Sequence, residues 1–122
     1  MIRSILLTVA VSLATNMPAA ADDGVWNRFR GPNGSGISHA TTVPVRWTDE
    51  DYNWKIELPG PGHSSPVVWE HRIFVTCGDP VTALRTLVCV DAPTGRTLWT
   101  HEEPSKTYDQ HRDNCYATET PT

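Results

Sequence analysis

The stretch that decides how this chain is read is Cys89-Val90-Asp91-Ala92-Pro93-Thr94-Gly95-Arg96-Thr97-Leu98-Trp99. Its centre, Asp91 to Gly95, is a turn. The Asp91 carboxylate can cap it, Pro93 fixes φ, and Gly95 can take a positive φ. Upstream, Thr86 to Val90 is a continuous apolar run holding Leu87, Val88, Cys89 and Val90. Continuous rather than alternating apolar character predicts a strand covered on both faces. Downstream, Arg96 to His101 returns as a strand carrying Leu98 and Trp99.

Working outward, Ser65 to Trp69 and Ile73 to Cys77 are two further strands. Glu70-His71-Arg72 joins them as a hairpin connector without the usual Asn-Gly or Gly-Asp chemistry. Four strands therefore run from Ser65 to His101, with short connections except for Gly78 to Arg85. Before them, Asn53 to Leu58 alternates, with Trp54, Ile56 and Leu58 on one face, and Pro59-Gly60-Pro61-Gly62 ends it. From Asp22 to Glu50 the signals are mostly those of loop, with Trp26, Phe29 and Trp47 as anchors onto a core. The fold class is all-β.

Composition agrees. Ten prolines and eight glycines in 122 residues make turns frequent and long helices unfavourable. Five tryptophans and 39% hydrophobic residues are not the composition of a disordered segment. A net charge of -4 argues against a nucleic-acid partner, since phosphate recognition needs a basic face.

Residues 1–21 read as an export signal. Arg3 is the positive region, Ile5 to Leu13 a short apolar core, and Ala19-Ala20-Ala21 the small residues of a cleavage site, with Pro18 just before them. The apolar core is shorter than the ~18 residues a membrane span needs, so no span is expected once the signal is removed. The nearest cysteine after the cleavage site is Cys77, so no lipid anchor follows it. The chain is expected in the periplasm or outside the cell. Removing 21 of 122 residues leaves 101 and moves the formal charge from -4 to -5.

Export exposes Cys77, Cys89 and Cys115 to an oxidising compartment. The count is odd. A hairpin centred near Ala83 would set Cys77 opposite Cys89 as a possible disulfide; the plainer reading is two small buried hydrophobes.

A repeat is visible. Trp54-Lys55-Ile56-Glu57 recurs as Trp99-Thr100-His101-Glu102, 45 positions later. His63-Ser64-Ser65-Pro66-Val67 has a partial echo in Ala117 to Thr122. A period of about 40–50 residues with four strands per unit is that of a β-propeller blade; a chance recurrence of tryptophan is the alternative.

The segment Cys89 to Trp99 resembles the blade signature of the pyrroloquinoline-quinone-like (PQQ-like) propeller family: hydrophobic, Asp, Ala, any, Thr, Gly, any, any, hydrophobic, Trp. His63 to Val68 followed by Arg72-Ile73-Phe74-Val75 resembles the first two strands of such a blade. Trp26-Asn27-Arg28-Phe29-Arg30-Gly31-Pro32-Asn33-Gly34 resembles the lead-in of exported, planctomycete-type members. Pro93 departs from the usual alanine. The resemblance implies structural roles in the blade for Asp91, Thr94, Gly95, Trp99 and Trp54, with the tryptophan docking onto a neighbouring blade. The spacing excludes the rival Asp-box propeller motif, because three residues separate Asp91 from Gly95.

The implied ring has about eight blades of ~40–45 residues. The expected organisation is a signal (1–21), a lead-in (22–52) and a repeat region (53–122). Its first blade spans about 53–101, and a truncated second begins at about 116–122. A chain cut short by an error in its reading frame, without independent function, is the alternative. The resemblance extends to the outer-membrane protein assembly factor (BamB) family. The implied function is a non-catalytic scaffold for an unidentified protein partner. The rival is a fragment of a quinone-dependent alcohol dehydrogenase-like enzyme whose quinone site lies in missing blades. The adjacent-cysteine disulfide of those enzymes is absent here.

The residues offer little chemistry. His63 beside Ser64 and Ser65 reads as a hydroxyl-rich strand start, since neighbours on a strand point to opposite faces. There is no Gly-x-Ser-x-Gly elbow. Gly31 to Gly36 lacks the Gly-Lys-Ser/Thr end of a phosphate loop. His101, His111, Cys115 and Cys77 or Cys89 lack the paired spacing of a zinc site. Glu102, Glu103, Asp109 and Asp113 read as solvated loop charges. His111-Arg112-Asp113-Asn114 is expected near a propeller entrance. The expectation is no catalytic, metal or cofactor residue in this fragment.

Overall fold

The computed structural model describes residues 25–32 and 34–122. The expected export signal lies outside the described residues. The described residues form one five-stranded antiparallel sheet in simple sequential order: β1 (Val25–Trp26), β2 (Val67–Trp69), β3 (Arg72–Gly78), β4 (Arg85–Asp91) and β5 (Thr97–Glu103). One short 3-10 turn, Asp49–Asp51, accompanies it.

The all-β reading holds, with two corrections. The lead-in, read as loop, supplies β1, whose Trp26 pairs with Val68. The expected strand from Asn53 to Leu58 joins no ladder. Of its apolar residues Trp54 packs on the buried core, whereas Ile56 and Leu58 are exposed.

Register follows from the apolar pattern. Ile73 faces Val90, Val75 faces Val88, and Cys77 faces Thr86 across β3 and β4. These residues share one face, where Cys77, Val88 and Val90 form the buried core and Trp54, Ile73 and Val75 pack on it. The other face carries the row Phe74–Cys89–Trp99 across β3, β4 and β5. β4 is apolar on both faces, and Val88, Cys89 and Val90 are all buried. This is the double coverage that its continuous apolar run predicts.

The connections use left-handed backbone where the turns are tight. Glu70-His71 joins β2 to β3 in two residues, with Glu70 at φ +53°. Residues 79–84 join β3 to β4. Asp79 organises this loop: its carboxylate accepts from the N–H of Val81 at 2.7 Å and of Thr82 at 2.9 Å. Ala83, buried at φ +60°, donates its N–H to the Asp79 carbonyl. Between β4 and β5 a bulge leaves Leu98 without an opposite number: Val90 faces Thr97 and Cys89 faces Trp99.

Candidate functional site

The turn from Asp91 to Arg96 is the best-organised local feature. The Gly95 N–H donates to the Asp91 carbonyl and the Asp91 N–H to the Arg96 carbonyl, both at 2.8 Å. The Thr94 hydroxyl donates to the Asp91 carboxylate, and the Arg96 N–H donates to the Thr94 hydroxyl. Asp and Thr thus bond each other across the turn, and Gly95 takes φ +71°.

Trp54 docks on this turn. Its indole N–H donates to the Ala92 carbonyl at 2.8 Å. Its ring lies against Gly95, where a Cβ would fall 2.5 Å from the ring carbons. The turn residues Asp91, Thr94 and Gly95 are therefore brought together with Trp54, 38 positions from its carbonyl partner. Trp99 is not part of this dock. It stands on the opposite face, partly exposed, its ring centroid 5.9 Å from that of Phe74.

The lead-in repeats the device. Trp26 lies against Gly31, where a Cβ would come within 2.7 Å of the ring. Arg28 closes the loop by donating to the Gly31 and Pro32 carbonyls. The sequence signal for this contact is the Trp-x4-Gly spacing of Trp26 and Gly31.

The cysteine pairing needs correction. The β3–β4 hairpin centres between Val81 and Thr82, so Cys77 faces Thr86 and Cys89 faces Phe74. The two sulfurs sit on opposite faces of the sheet and are free thiols, as is Cys115. Burial pushes both the Cys77 and Cys89 thiols up from their ordinary value; a backbone N–H of Gly60 partly offsets this at Cys77.

The other candidate groups remain apart. The Ser64 hydroxyl donates to the Thr76 carbonyl and accepts from the Thr76 N–H, both at 3.2 Å. It extends the sheet edge rather than facing a base. His101 lies 3.9 Å from Glu103, and His111 lies 3.4 Å from Asp113, all four exposed. Among the described residues no group of three or more His, Cys, Asp or Glu is placed to hold a metal ion. No helix among them is long and apolar enough to cross a membrane.

Two placements went unread in the sequence. Residues 117–120 return to the start of β2: His63 and Ser64 donate their N–H groups to the Ala117 carbonyl, and Ser65 donates to the Thr120 hydroxyl. The two segments of the sequence echo are therefore neighbours in space. Beyond them an open cleft of about 320 Å³ forms at the ends of β3–β5, lined by Arg85, His101, Glu103, Tyr108, Cys115 and Tyr116 among others. The rings of Tyr108 and Tyr116 meet edge to face at its rim.

Comparison with protein-family models, with curated proteins and with solved structures finds no match to this chain.

Proposed function

We propose that this chain is the lead-in and first repeat of an exported PQQ-like β-propeller that acts as a non-catalytic scaffold for protein partners. The observation that carries the reading is the seat of Trp54 on Gly95 and the Ala92 carbonyl. Trp54 and Trp99 occupy equivalent places in the 45-residue repeat. Trp54 reaches a turn that is not its own, whereas Trp99 has no such turn to reach among the described residues. In a ring, Trp99 docks on the Asp-Ala-x-Thr-Gly turn of the following unit as Trp54 docks on this one. The return of residues 117–120 beside residues 63–65 supports the same reading, since successive units then start side by side.

In a scaffold of this design, loops 79–84 and 104–116 lie together at one end of the sheet and form the contact surface for a partner. The test uses the protein as its host exports it. A scaffold cross-links to a defined envelope protein from photo-reactive residues placed in those two loops. It also shows no dye-linked alcohol oxidation when pyrroloquinoline quinone and Ca2+ are supplied. Quinone-dependent turnover, with its quinone absorbance, overturns the reading in favour of the dehydrogenase alternative.

A further inference from the structure

We infer that β5 is a self-association edge, along which a second copy of this chain adds its own β5 in antiparallel orientation. β5 is the last strand in the sheet order, and all seven of its residues are exposed. Among the described residues its only ladder is with β4. The opposite edge, β1, has two residues and offers little to pair with. A long edge with unsatisfied backbone groups is a template for another strand, and natural edges are protected by proline, lysine or coverage. β5 contains no proline and no lysine, and no element among the described residues covers it.

The charges select the occupant and its direction. Arg96 precedes the strand, and Glu102 and Glu103 end it. Antiparallel pairing of two copies about a two-fold axis near Thr100 sets Thr100 opposite Thr100 and Trp99 opposite His101. It brings Arg96 of each copy beside Glu102 and Glu103 of the other. Parallel pairing would set carboxylate on carboxylate, which is unfavourable across a ladder. Neither Arg96 nor Glu102 has an ion-pair partner among the described residues, so both are free to make the contact. The bulge at Leu98 starts the regular edge at Trp99, and Arg96 reaches across by the length of its side chain. The inference does not rest on the propeller reading, because β5 is an outer edge of the described sheet by its strand order alone.

Sedimentation equilibrium of the full chain tests it. A dimer is expected, and its dissociation constant should rise with ionic strength because exposed charges are screened. Charge reversal by E102K/E103K, or by R96E alone, should weaken the dimer about tenfold, since like charges then meet at both ends. The triple variant R96E/E102K/E103K should recover the original affinity. All three positions are exposed, and an unchanged far-ultraviolet spectrum verifies the sheet in each variant. A monomer at every soluble concentration overturns the inference. So does a dimer whose dissociation constant ignores both salt and the charge reversals, which would place the contact on the Phe74–Trp99 face.

Discussion

The ring of Trp54 sits where a side chain on residue 95 would have to be, so the two positions constrain each other. Trp54 needs a glycine beneath it, and the turn needs the Trp54 indole to satisfy the Ala92 carbonyl. The half-buried ring is the main apolar cover on the Val88–Val90 side of the sheet. Trp54→Ala is therefore expected to lower unfolding free energy by roughly 2–3 kcal/mol, somewhat below the ~3–5 kcal/mol of a fully buried aromatic. Trp54→Phe keeps most of the apolar cover, loses the hydrogen bond, and should cost about 1 kcal/mol. Denaturant titration of both variants checks the order; equal losses would remove the hydrogen bond from the account.

Gly95 should be less replaceable than glycines of similar backbone. Gly34 has nearly the same φ, +70° against +71°, but a Cβ there would meet nothing closer than 3.8 Å. Gly34→Ala pays only the left-handed strain, about 1 kcal/mol. Gly95→Ala adds a collision with a ring held by its own hydrogen bond, and should cost roughly 2–4 kcal/mol. Equal midpoints for the two variants in urea would contradict the dock.

Asp79 gives the fold a dependence on pH with a definite sign. Backbone N–H groups of Thr82 and then Val81 hold its carboxyl below the ordinary carboxylate value. A depressed folded-state value means that this contribution is fully present above the unfolded value of about 3.9. It is lost as pH falls through the folded value. Asp79→Asn should therefore be less stable than the parent at neutral pH, and the gap should close on acidification. A gap that stays constant from pH 7 down to pH 2 would assign the cost to something other than the charged cap.

These sites show what was legible in the chain and what was not. The strands from Val67 to Glu103 were legible because their apolar residues and turn residues agree locally. Asp91, Pro93 and Gly95 specify a turn whatever surrounds them. Trp54 was legible as an apolar anchor, but its sequence neighbours alternate just as a strand does. Only the tertiary contact with Gly95 distinguishes a residue that caps a sheet from one that belongs to it. The plainer reading of Cys77 and Cys89 as two small buried hydrophobes holds, and their possible pairing fails for a related reason. A shift of the hairpin centre from Ala83 to between Val81 and Thr82 exchanges the partner of Cys77 from Cys89 to Thr86. That centre depends on how Asp79 binds the N–H groups of its loop, a detail composition does not reveal. β1 was hidden because two residues carry no periodicity at all.

The thiols should differ in reactivity. Cys77 and Cys89 are buried, on opposite faces, and shifted toward the protonated form, which is the unreactive one. Cys115 is only half-buried, and its neighbour is the Thr118 hydroxyl. Under native conditions a disulfide-exchange reagent should modify Cys115 first, and the other two only on unfolding. Peptide mapping of the oxidised protein should show no Cys77–Cys89 bridge; finding one would require a three-residue change in the β3–β4 register, which sets Cys77 against Thr86.

Under the proposed repeat Trp99 is the counterpart of Trp54, yet the two should respond differently to the same substitution. Trp99 is 43% exposed and its aromatic neighbour is Phe74. Trp99→Ala in this chain gives up that ring pair and partial burial, a loss of about 1 kcal/mol. In a chain extended by a following repeat, the proposed docking would bury the ring, and the same substitution should then cost roughly 3–5 kcal/mol. The comparison needs only unfolding curves for the parent and variant at two chain lengths. A cost that does not grow with the added repeat would mean that Trp99 docks on nothing and that the 45-residue recurrence of tryptophan is chance.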